Sequence, residues 1–237
     1  MLTVVVLGLT IASITGQLYR YSPGHNHFLL GLANKFNLNG EANIPTWYQS
    51  STLMISAILL ALIASTKRIA GARYLWHWRA LSLIFMYLSL DEEACIHEQA
   101  NKFGHALHAS GLFYFVWVVP AALLVSIFVL AYLKFLAHLS FRDRWLFVIA
   151  GAIYVGGALG VEMLGGAYVS HYGEMLEGAQ GITYAVITTI EEFMEMAGIL
   201  VFIYVLLAHL HAQVSEQQLH QESHPLDFPA VKVKTAS

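Results

Sequence analysis

Residues 79–99 read RALSLIFMYLSLDEEACIHEQ: an apolar run of membrane-helix character passes, with no glycine or proline between, into Asp91, Glu92, Glu93, His97 and Glu98. A carboxylate at bilayer depth costs roughly 2.5–3.5 kcal/mol even on lenient insertion scales. The same conflict recurs further along the chain. The stretch GALGVEMLGG (157–166) carries Glu162, TTIEEFMEMAG (188–198) carries Glu191, Glu192 and Glu195, and Glu174 stands at a segment mouth. No lysine or arginine lies at the same depth. The acids must therefore face one another inside the protein, their charge cancelled by protons, a metal ion or imidazolium, which makes them the expected functional centre.

Outward from these segments the composition agrees. Of 237 residues 57% are hydrophobic and 11% charged, which is membrane-class rather than soluble composition. Six apolar stretches near the spanning length of about 20 residues, roughly 2–19, 46–66, 79–99, 111–137, 145–167 and 181–209, predict an all-α polytopic membrane protein. It is one bundle of six transmembrane helices over residues 1–210, followed by a polar, flexible cytoplasmic tail over 211–237. The first stretch lacks a preceding basic residue and a small-x-small cleavage site, so it reads as a retained helix.

Lys67, Arg68, Arg73 and Arg79, then Lys134, Arg142 and Arg144, then Lys232 and Lys234 fall on one side, and only Arg20, Lys35 and Lys102 on the other. Positive-inside reasoning puts both termini in the cytoplasm and turns the acid cluster outward. The expected setting is a bacterial inner membrane or an equivalent energy-transducing membrane. The lipid bilayer is the expected partner, with other membrane subunits or a homo-oligomer as further candidates. The net charge of −3 and the lack of a basic stripe exclude nucleic acid. Cys95 is the only cysteine, which rules out an intrachain disulfide and thiol-based zinc sites.

At 100° per residue, a third helix continuing through this region would align Asp91, Glu98 and His105 on one stripe and Glu93, His97 and His108 on the next. Glu93 and His97 then stand at the i,i+4 spacing that lets a carboxylate and an imidazole converge on one ion. The last helix aligns Tyr184, Thr188, Glu191, Glu195, Gly198 and Phe202, with Glu192 about 100° away. The fifth aligns Gly151, Ala158, Glu162, Gly165 and Gly166, small residues that let helices approach closely. The loop after the first helix, with His25 and His27, reads as solvated, and Trp47 and Tyr48 as interfacial anchors.

Acids from three helices with at least one histidine follow the logic of bundle-core metal sites. The expected metal ligands are Asp91, Glu92, Glu93, His97, Glu162, Glu191, Glu195, His105 and His108, for one or two ions of iron, manganese, copper or zinc. Glu98 and Glu192 are the expected proton movers in a metal-dependent oxidation or hydrolysis of a lipid or small hydrophobic substrate. Spacing does not complete the case, since neither Glu-x-x-His nor His-Glu-x-x-His occurs here. Two other readings therefore stay open: a proton or cation path, and a structural subunit of a larger membrane complex. Ser82, Ser89 and Ser170 sit in no nucleophile turn and read as backbone-bonding serines.

The runs GEANIPTWYQSS, LSLDEEACIHE, AGAIYVGGALGVEMLGG and TTIEEFMEMAGILVFIYVLL resemble a family of uncharacterised bacterial six-helix integral membrane proteins with an Asp-Glu…His-Glu signature on the third helix. The likeness covers about 38 to 207 and implies the bundle but no activity. The matching positions are Asp91, Glu92, His97, Glu98, Glu162, Glu191, Glu192 and Glu195. Glu93-x-x-x-His97, His105 or His108, and FYFVWVVP ending at Pro120 are similar to the metal helix of copper membrane monooxygenases. Here glutamate replaces aspartate and the second histidine comes too early, so the likeness adds only copper as a candidate.

Overall fold

A computed structural model describes residues 1–22, 24, 26–69, 71–101 and 109–223, with backbone alone at 100 and from 216 to 223. His25, Lys102, His105, His108 and the tail from His224 onward lie outside the described residues. Among the described residues there is no strand. The helices are α1 (Leu2–Arg20), α2 (His27–Lys35), α3 (Ile44–Ile69), α4 (Leu75–Ala94), α5 (Val118–His138), α6 (Phe141–Tyr172) and α7 (Gly178–Ser223). α1, α3, α5, α6 and the Gly178–Ser215 part of α7 are long and apolar enough to cross a membrane. α4 spans 20 residues and carries its charge at both ends, through Arg79 and the Asp91–Glu93 run.

Local chemistry sets the boundaries. Asn43 accepts the Thr46 amide at 3.1 Å to cap α3, and Pro45 sits in the first turn, where its missing N–H is no loss. Ser140 caps α6 by accepting the Asp143 amide at 3.2 Å. The loop after α1 holds the short helix α2, capped by Asn26, which accepts the Phe28 amide at 2.8 Å. α7 runs on to Ser223, so the polar segment expected as flexible from 211 begins as helix.

The expected third helix over 79–99 is cut short. α4 ends at Ala94, Cys95 turns left-handed at φ 51°, and a 3₁₀ turn follows over His97–Ala100. The two stripes projected onto a continuous helix therefore do not form. Asp91 is the cause, because its carboxylate accepts the His97 backbone amide at 3.0 Å and the His97 ring Nδ1 at 2.8 Å, folding the chain back on the helix end. The i,i+4 partnership of Glu93 with His97 is replaced by one six residues apart.

α6 also departs from a regular helix. Residues Gly156–Val161 form a π-helical turn, the kind of insertion that recurs at functional sites. Close approach to α7 comes at Gly157, where a Cβ would stand 2.8 Å from the Glu191 carbonyl oxygen and 3.2 Å from Glu195 Cγ. Gly198 does the same from α7, with Tyr154 N at 2.7 Å. Gly160, by contrast, faces open space.

Along its length the bundle divides in two. One half is filled by Leu60, Ile63, Trp78, Leu81, Phe135, Phe147, Phe202 and Leu206, all buried. In the other half, toward the N-terminal end of α3 and the C-terminal end of α4, a cavity rich in polar side chains lies beside a smaller apolar core of Val6, Leu9, Leu38, Tyr48 and Met196. Outside, Leu123, Leu124 and Leu130 on α5 are 62%, 66% and 70% exposed, as a lipid-facing surface requires.

Candidate functional site

The hollow is a cavity of about 270 Å³, into which α3, α4, α6 and α7 each bring polar side chains. Asp91, Glu92, His97, Glu98, Glu162, Glu191, Glu192 and Glu195 all line it. Eight of the residues singled out by depth and charge thus meet in one chamber. Glu93 does not, being exposed and lining neither cavity described here. His27 and His171 are exposed too. The α7 face is as its periodicity implies, with Thr188, Glu191, Glu195 and Phe202 all buried.

Each carboxyl has a specific neighbour. Gln49, buried on α3, donates its two amide hydrogens to Glu195 at 2.8 Å and Glu92 at 3.4 Å, tying α3, α4 and α7 together. Trp117 Nε1 donates to Glu162 at 3.1 Å. The Glu162 and Glu191 carboxyls are neighbours across the α6–α7 contact. Glu191 Oε2 is buried without a partner among the described residues, and the residue is only 7% exposed.

His97 is held by Asp91 through Nδ1 and lies against Trp117, ring centroids 4.7 Å apart. Its Nε2 has no partner among the described residues, and the 30%-exposed ring borders the chamber. Beyond the end of α4, Glu98 faces Glu41, which arrives on the loop before α3, with the Cys95 thiol donating to Glu41.

Partial burial, then the hydrogen bond and charge of Glu41, push Glu98 up to about 7. The same hydrogen bond holds Glu41 below its ordinary value. Burial pulls the His97 imidazole down, but the bond and charge of Asp91, helped by Glu98 and Glu92, more than offset it and raise the ring. Cys95 is pushed up to about 12 by burial and by Glu41, so its thiol is no nucleophile at neutral pH.

A second cavity of about 530 Å³ lies above the chamber, lined by Arg20, Asn37, Tyr114, Glu174 and Thr188 among others. The two share Asn39, Glu98, Asn101, Phe115 and Tyr184, which form the neck between this vestibule and the chamber. In the vestibule wall Tyr114 donates to Glu174 at 2.6 Å.

Among the described residues no three histidine, cysteine, aspartate or glutamate side chains are gathered around one point as a metal ion needs. The carboxyls are arranged instead in pairs, Glu41 with Glu98 and Glu162 with Glu191. Residue-by-residue reading overlooked Gln49, Glu41, Trp117 and Tyr154, all of which line the chamber or bind its acids. Gln49 carried a signal, being an amide inside an otherwise membrane-length apolar helix. Glu41 carried none, because its loop gives no local hint that it folds over the end of α4.

Residues 1–210 match the family described as "Domain of unknown function (DUF8692)". The chain belongs to that family. No curated protein and no solved structure matches it. Its function has to be read from the chamber.

Proposed function

We propose that this chain is a six-span integral membrane protein, both termini cytoplasmic, whose chamber takes up a metal cation through the vestibule in exchange for protons held between its carboxyls. α4 serves as the sixth span: its 20 residues reach about 30 Å, and its acidic end turns into the chamber rather than toward lipid. The observation that carries the reading is Glu191 Oε2. A carboxylate oxygen buried without a donor is costly, and a proton or a cation is what relieves it.

Oxygen donors from Glu162, Glu191 and Glu195, with His97 Nε2 at the edge, form a mixed hard and borderline set suited to manganese, iron or zinc. Loading requires the paired carboxyls to give up their shared protons and rotate toward one point, so uptake releases protons. A bound divalent ion would supply Lewis acidity or redox chemistry in a site screened from water, as metal-assisted oxidation or hydrolysis demands.

The apolar half of the bundle favours this over a conducting path. Conduction needs an aqueous mouth on the far side of the membrane, and beyond Glu195 the interior is closed by Phe202, Trp78, Phe135 and Phe147.

The test uses purified protein with Mn²⁺, Fe²⁺, Cu²⁺ or Zn²⁺, each added singly. About one or two ions per chain, with proton release into weakly buffered solution, is the expected result, and Glu191→Gln should abolish both. Sub-stoichiometric metal across Mn²⁺, Fe²⁺, Cu²⁺ and Zn²⁺ would overturn the reading.

A further inference from the structure

The chamber is not uniformly polar. Opposite its acids the wall is Leu88 of α4, Ala121 and Val125 of α5, and Val155 and Leu159 of α6. All five are half-buried, sealed neither in a core nor on the open surface. α5 explains how they come to line a cavity. Its buried residues are Val118 at one end and Tyr132 and Phe135 near the other. Tyr132 donates to the His77 carbonyl at 3.0 Å, and Phe135 packs edge-on to Trp78 at 5.0 Å. Between these pins no residue from 119 to 131 is buried. The middle of α5, about 20 Å of helix, is therefore loosely packed, touching the bundle only through half-buried side chains such as Ala121, Val125 and Phe128. Gly160 of α6, beside this seam, faces open space.

From this we infer that the chamber has a second, lateral opening between α4, α5 and α6, and that it admits a single-chain lipophile with a neutral, oxygen-bearing head. The inference rests on the chamber being the working site, and it names the substrate class for that site. A volume of about 270 Å³ is many times the roughly 10–15 Å³ that one water needs on the same measure. That fits a head and its first few carbons, with the rest of the chain lying in the seam against lipid. Two-chain lipids are too wide for such a slot. Anionic heads are repelled by the chamber's acids, whereas a hydroxyl or carbonyl accepts from a protonated carboxyl or binds a loaded cation.

The test is photolabelling of the full chain in lipid nanodiscs with a 16-carbon alcohol bearing a diazirine a few carbons from its hydroxyl. Label is expected on the α5 segment around Ala121–Val125 and on α6 near Leu159. Val125→Trp, which fills the seam, should reduce it about tenfold, and the milder Ala121→Val should reduce it severalfold if the tryptophan variant does not fold. Leu130→Trp, on the lipid face, should leave it unchanged. Label spread evenly over lipid-facing residues, or equal in Val125→Trp and the parent, would overturn the inference. So would equal labelling of the chamber by the matching phosphate-headed probe. Metal content of the parent protein separates the two claims: α5 label without stoichiometric metal leaves the opening standing, and stoichiometric metal with no α5 label leaves only the cation site.

Discussion

At opposite ends of the bundle, His97 and His209 each meet an aspartate through Nδ1 at 2.8 Å. What surrounds the second ring nitrogen differs. His209 Nε2 accepts from the Gln213 side chain at 2.8 Å, Gln213 in turn accepts from Thr66 at 2.9 Å, and Trp78 lies against the ring at 5.1 Å. That network joins α3, α6 and α7, and its histidine has no vacant position. His97 Nε2 is left facing a cavity walled by carboxyls. The same pair is a fastener where both nitrogens are used and a poised group where one has no partner among the described residues.

The comparison breaks most visibly at Asp143. Asp143→Ala leaves the His209 N–H without an acceptor and should cost about 2–3 kcal/mol of stability, measured as resistance to denaturant in mild detergent. Cation uptake per folded chain should be unchanged. Asp91→Asn, which keeps one oxygen for the His97 backbone amide, should do the reverse, lowering cation affinity about tenfold by loosening the ring that it orients while costing less stability than Asp143→Ala. Should Asp91→Asn destabilise as much as Asp143→Ala, the two pairs are both fasteners. Diethyl pyrocarbonate, read by mass spectrometry, sharpens the contrast: it should modify His97 and spare His209, whose nitrogens are both engaged.

Cation uptake should next depend on pH through the mouth of the chamber. Glu98 stands at about 7, so it is mostly neutral below that and anionic above, and affinity should rise about fivefold from about pH 6 to about pH 8. Stability of the empty protein runs the other way. A carboxyl raised on folding contributes stability below its ordinary value and loses it as pH climbs through about 7. His97, raised as well, likewise loses its contribution as pH climbs. Glu41, held low, loses its contribution only as pH falls through its folded value. Glu98→Gln should flatten the uptake profile, and an unchanged slope in that variant would remove Glu98 from the mouth.

The bundle and eight chamber residues were legible because depth and charge are properties of local sequence: an acid in an apolar run has few places to go. The face Thr188, Glu191, Glu195 and Phe202 followed from 3.6-residue periodicity on a regular helix. The same periodicity failed for residues 91–98, since one side chain, Asp91, captures a backbone amide six positions on and ends the helix. Glu93 lost its i,i+4 pairing with His97 for that reason. Glu41 and Trp117 reach the site from segments outside the three acid-bearing helices, through contacts that spacing does not encode.

The fastener should also yield least at its far end. Thr66 has one hydroxyl proton and two acceptors in reach, the Ile63 carbonyl at 2.8 Å and Gln213 Oε1 at 2.9 Å. The carbonyl belongs to an α-helix and has its own amide donor, so losing the hydroxyl there costs almost nothing. Only the Gln213 contact is at stake, and Gln213 keeps its bond to His209. Thr66→Val should therefore cost about 0.5–1 kcal/mol in the same denaturant assay, well below Asp143→Ala. An equal loss in both variants would mean that the four side chains act as one cooperative unit, with the hydroxyl as essential to it as the carboxylate.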